Sequence, residues 1–395
     1  MLLKAKPKVA AGNSFARRIT EEEYPMDRLV RCLSVILLLL ATVFAAGSAA
    51  AQDVRRYIYA AVPGVSNDEQ FGGVGVLVFD ADNGHKFVRR IATWETYRRE
   101  AIEPIKGIAA HAGTGRLYVS TTRRLAAFDL ATDKIVWQKG YDADCCDRMA
   151  VSADGKTLYV PAFERPKWYV VDAGNGNVIT TIVTEGEAHN TIYSPHSGRI
   201  YLASLRTPTM AVADSRTNQV VKRIGPFSNQ TRPFAINGKE TLVYVNVNNL
   251  LGVAVADLQT GKVLHEVSAP AFVKGKPRGH GTVSHGIALT HDEKEIWVAD
   301  GPNNYAHIFD ATSAPPKYKE SVRLRAEPGW LTCSIDGRLI YPSSGEVIDI
   351  ASRKVIATLE DEKGRHVETE KLLQIDFAGG RPLRAGDQFC FGQVR

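Results

Sequence analysis

Six residues carry most of the side chains in this chain that could bind or transform a ligand: Lys106, Asp147, His189, Arg232, His285 and Trp330. The first five each stand five places before a residue suited to opening a tight turn, namely His111, Ser152, Ser194, Asn237 and Thr290, and Gly329, beside Trp330, stands five before Ser334. Lys106, Arg232 and the two histidines suit an anion or polar small molecule, because arginine offers a planar fork of donors and lysine a point charge. His189, His285 and Asp147 are also an acceptable ligand set for zinc, iron or copper. Two histidines are few for a metal centre, so this reading ranks below the first. An Asp147–His189 pair could do general acid–base work on a substrate lying between them. The plain alternative is that polar residues at strand starts meet only water. Directly before Asp147 stand Cys145 and Cys146, adjacent cysteines able to close a strained eight-membered ring of the labile or functional kind. Semi-buried thiols, or a bridge to Cys333, are the structural alternatives.

These positions are brought together only if a repeat carries them, and one does. A short strand ends in a polar turn, a second strand reads like Leu-Tyr-Val, and a third ends in Asp. A turn rich in Thr, Asn, Gly and Lys then leads to a fourth, β-branched strand. Met149 to Val183 is the clearest copy. Its strands alternate, and Ala153-Asp154-Gly155-Lys156 and Gly174-Asn175-Gly176-Asn177 have hairpin-turn chemistry. The Asp that closes the third strand recurs as Asp80, Asp129, Asp172, Asp214, Asp257, Asp310 and Asp349, at intervals of 49, 43, 42, 43, 53 and 39 residues. That is the period of four-stranded propeller blades. Seven marks predict an all-β, seven-bladed propeller with few helices.

The ends of the repeat region predict a closed ring. Arg56–Val62 reads as a second strand lacking a first, and Leu372–Phe377 as a first strand lacking its successors, so the two complete one blade and remove exposed edges. In such a ring the first strand of each blade lines the central channel, so residues entering those strands converge on one mouth. For the composite blade, Glu370 or Lys371 is nearest the aligned position. His280 falls in a basic Gly/Pro-rich insertion, 274–281, suited to a lid or a tether. His111, His196 and His291 sit in turns, where exposure is expected.

The blocks Gly115–Ser120, Thr157–Val160 and Val243–Asn248, with the turn Asp257–Lys262, resemble the YVTN-type β-propeller repeat over about residues 54–380. The pattern is also similar to the quinoprotein amine dehydrogenase β-chain and the haem-carrying propeller of nitrite reductase. That resemblance implies a fold, since propellers host enzymes, binding modules and scaffolds alike. Phe128–Trp137 is similar to the tryptophan-docking repeat of quinoprotein alcohol dehydrogenases, whose cofactor is sandwiched by vicinal cysteines. This chain departs from that family in blade count and in carrying the repeat once, so a quinone cofactor is a minority reading and the cofactor is left unassigned.

From Met26 the chain has a basic stretch with Arg28 and Arg31, an apolar run from Leu33 to Ala46, and the small residues Ala49-Ala50-Ala51. This is the pattern of a signal peptide cleaved before Gln52, after an upstream extension of residues 1–25. The expected product is periplasmic or secreted, comprising a propeller over 52–380 and a tail over 381–395. An uncleaved anchor is the alternative. From Gln52 onward the chain has 42 basic and 39 acidic residues, a balance that gives no electrostatic reason to expect nucleic acid. The sequence lacks a Gly-x-Ser-x-Gly elbow, a His-Glu-x-x-His pair, a phosphate-binding glycine loop and a Cys-x-x-Cys-His haem site. The expected function is therefore a monomeric binding or scaffold propeller, without a membrane span after cleavage, that takes a small polar ligand or a protein partner. The competing class is a propeller enzyme, an oxidoreductase or lactonase-like hydrolase, acting at the same mouth.

Overall fold

In the computed structural model, the residues described are 53–64, 70–94, 103–141, 145–163, 165–270 and 280–395. The signal-like segment, its upstream extension and most of the 274–281 insertion lie outside them.

The alternating, β-branched segments pair into seven antiparallel sheets, and a single 3-10 turn at Ala112–Thr114 is the only helical element among the described residues. Blade 1 is composite: Leu372–Ala378 is its inner strand, followed outward by Val54–Val62, Gly75–Asp80 and Lys86–Ile91. Blades 2 to 7 have inner strands Ile105–His111, Ala150–Val151, Glu187–Tyr193, Thr231–Ile236, Ile287–Leu289 and Leu331–Cys333, each leading outward through three more strands. Closure follows the expected pairing, with Val54 opposite Ala378, Tyr57 opposite Ile375 and Ala60 opposite Leu372.

All seven aspartates used as register marks end the third strand of a blade. The reason is local hydrogen bonding. Each carboxylate accepts a backbone N–H from the turn that follows, as Asp172 does from Gly174 (2.8 Å) and Asp257 from Gln259 (2.8 Å) and Thr260 (2.6 Å). A side chain that satisfies turn donors in this way fixes the start of the hairpin, and asparagine or serine does it less strongly when no charge is available.

The core is divided as a ring requires. Among the described residues seven apolar clusters are present, and each joins one pair of neighbouring blades, that of blades 4 and 5 also taking in Trp330 and Phe389. The cluster of Ile58, Leu77 and Phe79 with Tyr341 and Val347 joins blade 7 to blade 1, and that of Tyr59, Val76 and Val78 with Ile108, Leu117 and Val119 joins blade 1 to blade 2. Each blade thus buries both of its faces against neighbours, which a single four-stranded sheet cannot do alone.

Residues 381–395 continue the architecture. Arg381–Ala385 adds a fifth strand to the inner edge of blade 1. The chain then crosses the channel. Gln388 O accepts from Trp330 Nε1 (2.6 Å), Gln388 Nε2 donates to Met149 O (3.1 Å), Cys390 O accepts from Leu289 N (3.0 Å), and Gly392 N donates to Ile236 O (2.9 Å). A Cys333–Cys390 disulfide fastens this segment to blade 7. Leu289 and Ile236 end their inner strands, whereas Gln388 reaches Met149 and Trp330 directly before theirs, and the rest of the tail floors the channel on the hairpin side.

Candidate functional site

The strand starts converge, and their side chains are largely buried. Asp147 and Arg148 precede the inner strand of blade 3, His189 lies in that of blade 4, His285 precedes that of blade 6, and Trp330 precedes that of blade 7. All five are at most 8% exposed. Glu370 and Lys371, the nearest aligned residues of the composite blade, are 2% and 4% exposed. Lys106 and Arg232 stand at the half-buried edge of the group.

Close backbone approach lets these elements meet. A Cβ on Gly107 would fall 2.7 Å from Asp147 O, so only glycine fits between blades 2 and 3 there. Gly329, at the aligned position of blade 7, has a different consequence. A Cβ there would fall 2.2 Å from Glu370 Oε1 and 2.5 Å from His280 Nε2. The missing side chain is the space in which those two groups meet.

Two linked sets of groups fill the interior. In the first, His189 Nδ1 bonds Asp147 Oδ2 at 2.5 Å. A carboxylate accepts, so Nδ1 carries the proton. His189 Nε2 is then left buried without a hydrogen-bond partner. Burial pulls the His189 pKa down against the opposing effect of Asp147, which keeps the imidazole neutral with its Nε2 lone pair free. Burial alone would raise the Asp147 pKa, but His189, Arg148 and Lys106 together hold it below the usual range.

In the second set, Glu370 is the hub. Its Oε1 lies 2.6 Å from His280 Nε2, and its Oε2 meets Lys371 Nζ at 2.8 Å and the Arg148 guanidinium. Burial works against the carboxylate here too, yet His280, Lys371 and Arg148 hold its pKa well below the ordinary value. Lys371, buried and beside Arg148, is pulled down to about 7. Arg148 also lies over the Trp330 ring, 3.8 Å from its centroid, which replaces part of the hydration that burial removes.

His285 connects the two sets. Its ring stacks on His280 with centroids 4.0 Å apart and lies 5.8 Å from the His189 ring. Nδ1 donates to Gly329 O (3.0 Å), which leaves Nε2 as the lone-pair nitrogen. Burial, and then the charge of His280, put its pKa well below the usual range.

Cations dominate the rim. Among the described residues, neither Lys106 nor Arg232 has a carboxylate within ion-pair distance. Lys106 Nζ lies 4.9 Å from the Phe163 ring centroid, and Arg232 Nε donates to Asn248 Oδ1 at 2.5 Å. Lys106 acts electrostatically on Asp147 and Lys371, and Arg232 on His189.

Cys145 and Cys146 are bonded to each other rather than to Cys333, and both are buried in the apolar cluster between blades 2 and 3. The structure places the six residues singled out in the sequence around one mouth, together with Glu370 and Lys371, the sequence candidates for the composite blade, and adds Arg148 and His280. Arg148 is adjacent to the aligned Asp147 and was legible from that adjacency. His280 was not, because it precedes its blade by a loop of no fixed register.

These features define a seven-bladed β-propeller with a charged, histidine-rich channel mouth. No protein-family model matches the chain, and no curated protein matches it. Among solved structures, it is similar to Kuenenia stuttgartiensis hydrazine synthase, with a TM-score of 0.56 and 15% identity over 71% of this chain and 88% of that one. At that identity the likeness concerns the fold alone.

Proposed function

We propose that this protein is an exported, YVTN-type propeller that binds a small anionic ligand at the channel mouth. The observation that carries the reading is the pair of rim cations, Lys106 and Arg232, which have no carboxylate partner among the described residues and stand beside a buried interior that already balances its own charges. An arginine whose fork is not committed to a protein acid suits a carboxylate or phosphate group, and a lysine elsewhere on the rim adds a point charge. The tail floor supports the reading as well, because a channel closed at one end is a pocket and not a passage.

Isothermal titration with a panel of small carboxylates and phosphate esters tests this. At least one should bind with a one-to-one ratio, and Lys106→Ala with Arg232→Ala should weaken it by about 10-fold or more, since each lost charge-assisted bond is worth about 1.5–3 kcal/mol. Binding unchanged in the double variant would remove the rim from the site. Export rests on the sequence pattern alone, and mass spectrometry of the secreted or periplasmic chain should find Gln52 at its N-terminus.

General acid–base catalysis is a second reading, favoured by the oriented Asp147–His189 pair with its free Nε2. Turnover of a bound anion that is lost in His189→Gln, with binding retained, would establish it.

A further inference from the structure

We infer that His280, His285 and Glu370, completed by His189, form a binding site for one borderline divalent transition-metal ion of the zinc type. Beneath the anion-binding rim, the site stands or falls independently of that reading.

The first support is proximity. His280, His285 and Glu370 each offer a ligand atom, and these atoms lie within 4.8 Å of one another. An ion bound at about 2.0–2.2 Å from nitrogen and oxygen ligands requires only modest tightening of such a group. The second is preorganised lone pairs. His285 Nδ1–H is held by a backbone carbonyl and His189 Nδ1–H by a carboxylate. Both arrangements fix the tautomer so that Nε2 keeps its lone pair for a ligand bond, the role that outer hydrogen bonds play around metal-bound histidines.

The third is an unmet requirement. His189 Nε2 is buried with no hydrogen-bond partner, on a ring 5.8 Å from that of His285. A buried acceptor left this way is destabilising, which a ligand bond would offset. The fourth is space. Gly329 leaves open the volume where His280 and Glu370 meet, and any side chain there would fill it.

Three imidazoles and one carboxylate suit zinc, cobalt(II) or iron(II) better than calcium or magnesium, which prefer oxygen. Arg148 and Lys371 engage Glu370 Oε2, which directs Oε1 to the ion. When the ion enters between His280 Nε2 and Glu370 Oε1, any proton held on that nitrogen leaves to solvent. A second grouping, His291 with Cys333 and Cys390, offers no thiolate because its sulfurs form the disulfide.

The test uses untagged full-length protein, stripped with a chelator and dialysed, then titrated with Zn²⁺ by calorimetry and with Co²⁺ by visible absorption. The expected result is one equivalent of either ion, with the intense cobalt bands of a four-coordinate site. His280→Ala, at the partly exposed edge of the cluster, and Gly329→Ala should each weaken Zn²⁺ binding by at least 10-fold while the stripped protein keeps the β-rich circular dichroism spectrum of the wild type. His189→Gln should weaken the cobalt bands and shift them. The Lys106→Ala/Arg232→Ala variant should keep full metal uptake, which separates this site from the anion rim. Absence of stoichiometric uptake by the wild type, or wild-type affinity in both His280→Ala and Gly329→Ala, would overturn the site. An unchanged cobalt spectrum in His189→Gln would overturn the fourth ligand.

Discussion

Ionised side chains survive burial here because each has more than one opposite or polar partner. Glu370 faces His280, Lys371 and Arg148, while Arg148 adds a stacking contact with Trp330. Breaking such a set from one side is costlier than never having built it, since the remaining charge is stranded. Trp330 has two roles, as it carries Arg148 on its face and donates Nε1–H to Gln388 O. Trp330→Phe keeps a ring but loses that donor, so urea unfolding should show a loss of about 1–2 kcal/mol, against about 3–5 kcal/mol for Trp330→Ala. Asp387 gives a pH-dependent case. Burial pushes its pKa up to about 6, while its Oδ1 still accepts from Phe389 N at 2.9 Å. Between its ordinary value and about 6 the folded state binds more protons than the unfolded chain, so this group's contribution falls as pH rises through that window. Asp387→Asn keeps the acceptor and removes the charge. Its stability advantage over wild type should grow from pH 4 to pH 7 by about 1–2 kcal/mol, read from urea midpoints at each pH.

Within a blade, the aspartate ending the third strand sets where the outer hairpin turns. Asp257 is typical, accepting two turn N–H groups from a half-buried position. Asp257→Ala should therefore lower stability by about 1 kcal/mol through lost turn bonds, while the adjacent Gln259→Ala should change it by less than about 0.5 kcal/mol. Equal effects would mean that the aspartates mark the repeat without holding it. The outer strands depend less on burial. Ile135, Val136, Ile179 and Ile356 are between 44% and 59% exposed, so β-propensity rather than core packing keeps those positions aliphatic.

For the molecule as a whole, two features of the C-terminal region have separable roles. Leu372–Ala378 supplies the inner strand of blade 1 and with it both clusters that close the ring. A chain ending at residue 371 should fail to give a monomeric, β-rich circular dichroism spectrum. The segment beyond residue 385 adds Phe389, Cys390 and the disulfide to a ring already closed, so a chain ending there should retain that spectrum at lower stability. The Cys333–Cys390 bond closes a separation of 57 residues, and a loop of that size predicts about 2–4 kcal/mol of stabilisation. Cys390→Ser should lower stability by about that amount, and adding reductant to the wild type should reproduce the loss in urea unfolding.

The architecture was legible because it depends on short-range chemistry. Strand alternation, turn residues and the recurring aspartate act within a few residues, so the blade count and the incomplete first and last strands could be read directly. The ring of Lys106, Asp147, His189, Arg232, His285 and Trp330 was legible for a related reason, since a repeat carries equivalent positions to one place. What the sequence could not determine was which of those side chains touch. The Asp147–His189 bond, the stacking of His280 on His285 and the gathering of three groups on Glu370 join residues from different blades and a loop, and depend on rotamers and burial that only closure imposes. The partner of Cys333 was hidden likewise, because Cys390 lies in a segment with no repeat register and reaches blade 7 only by crossing the channel.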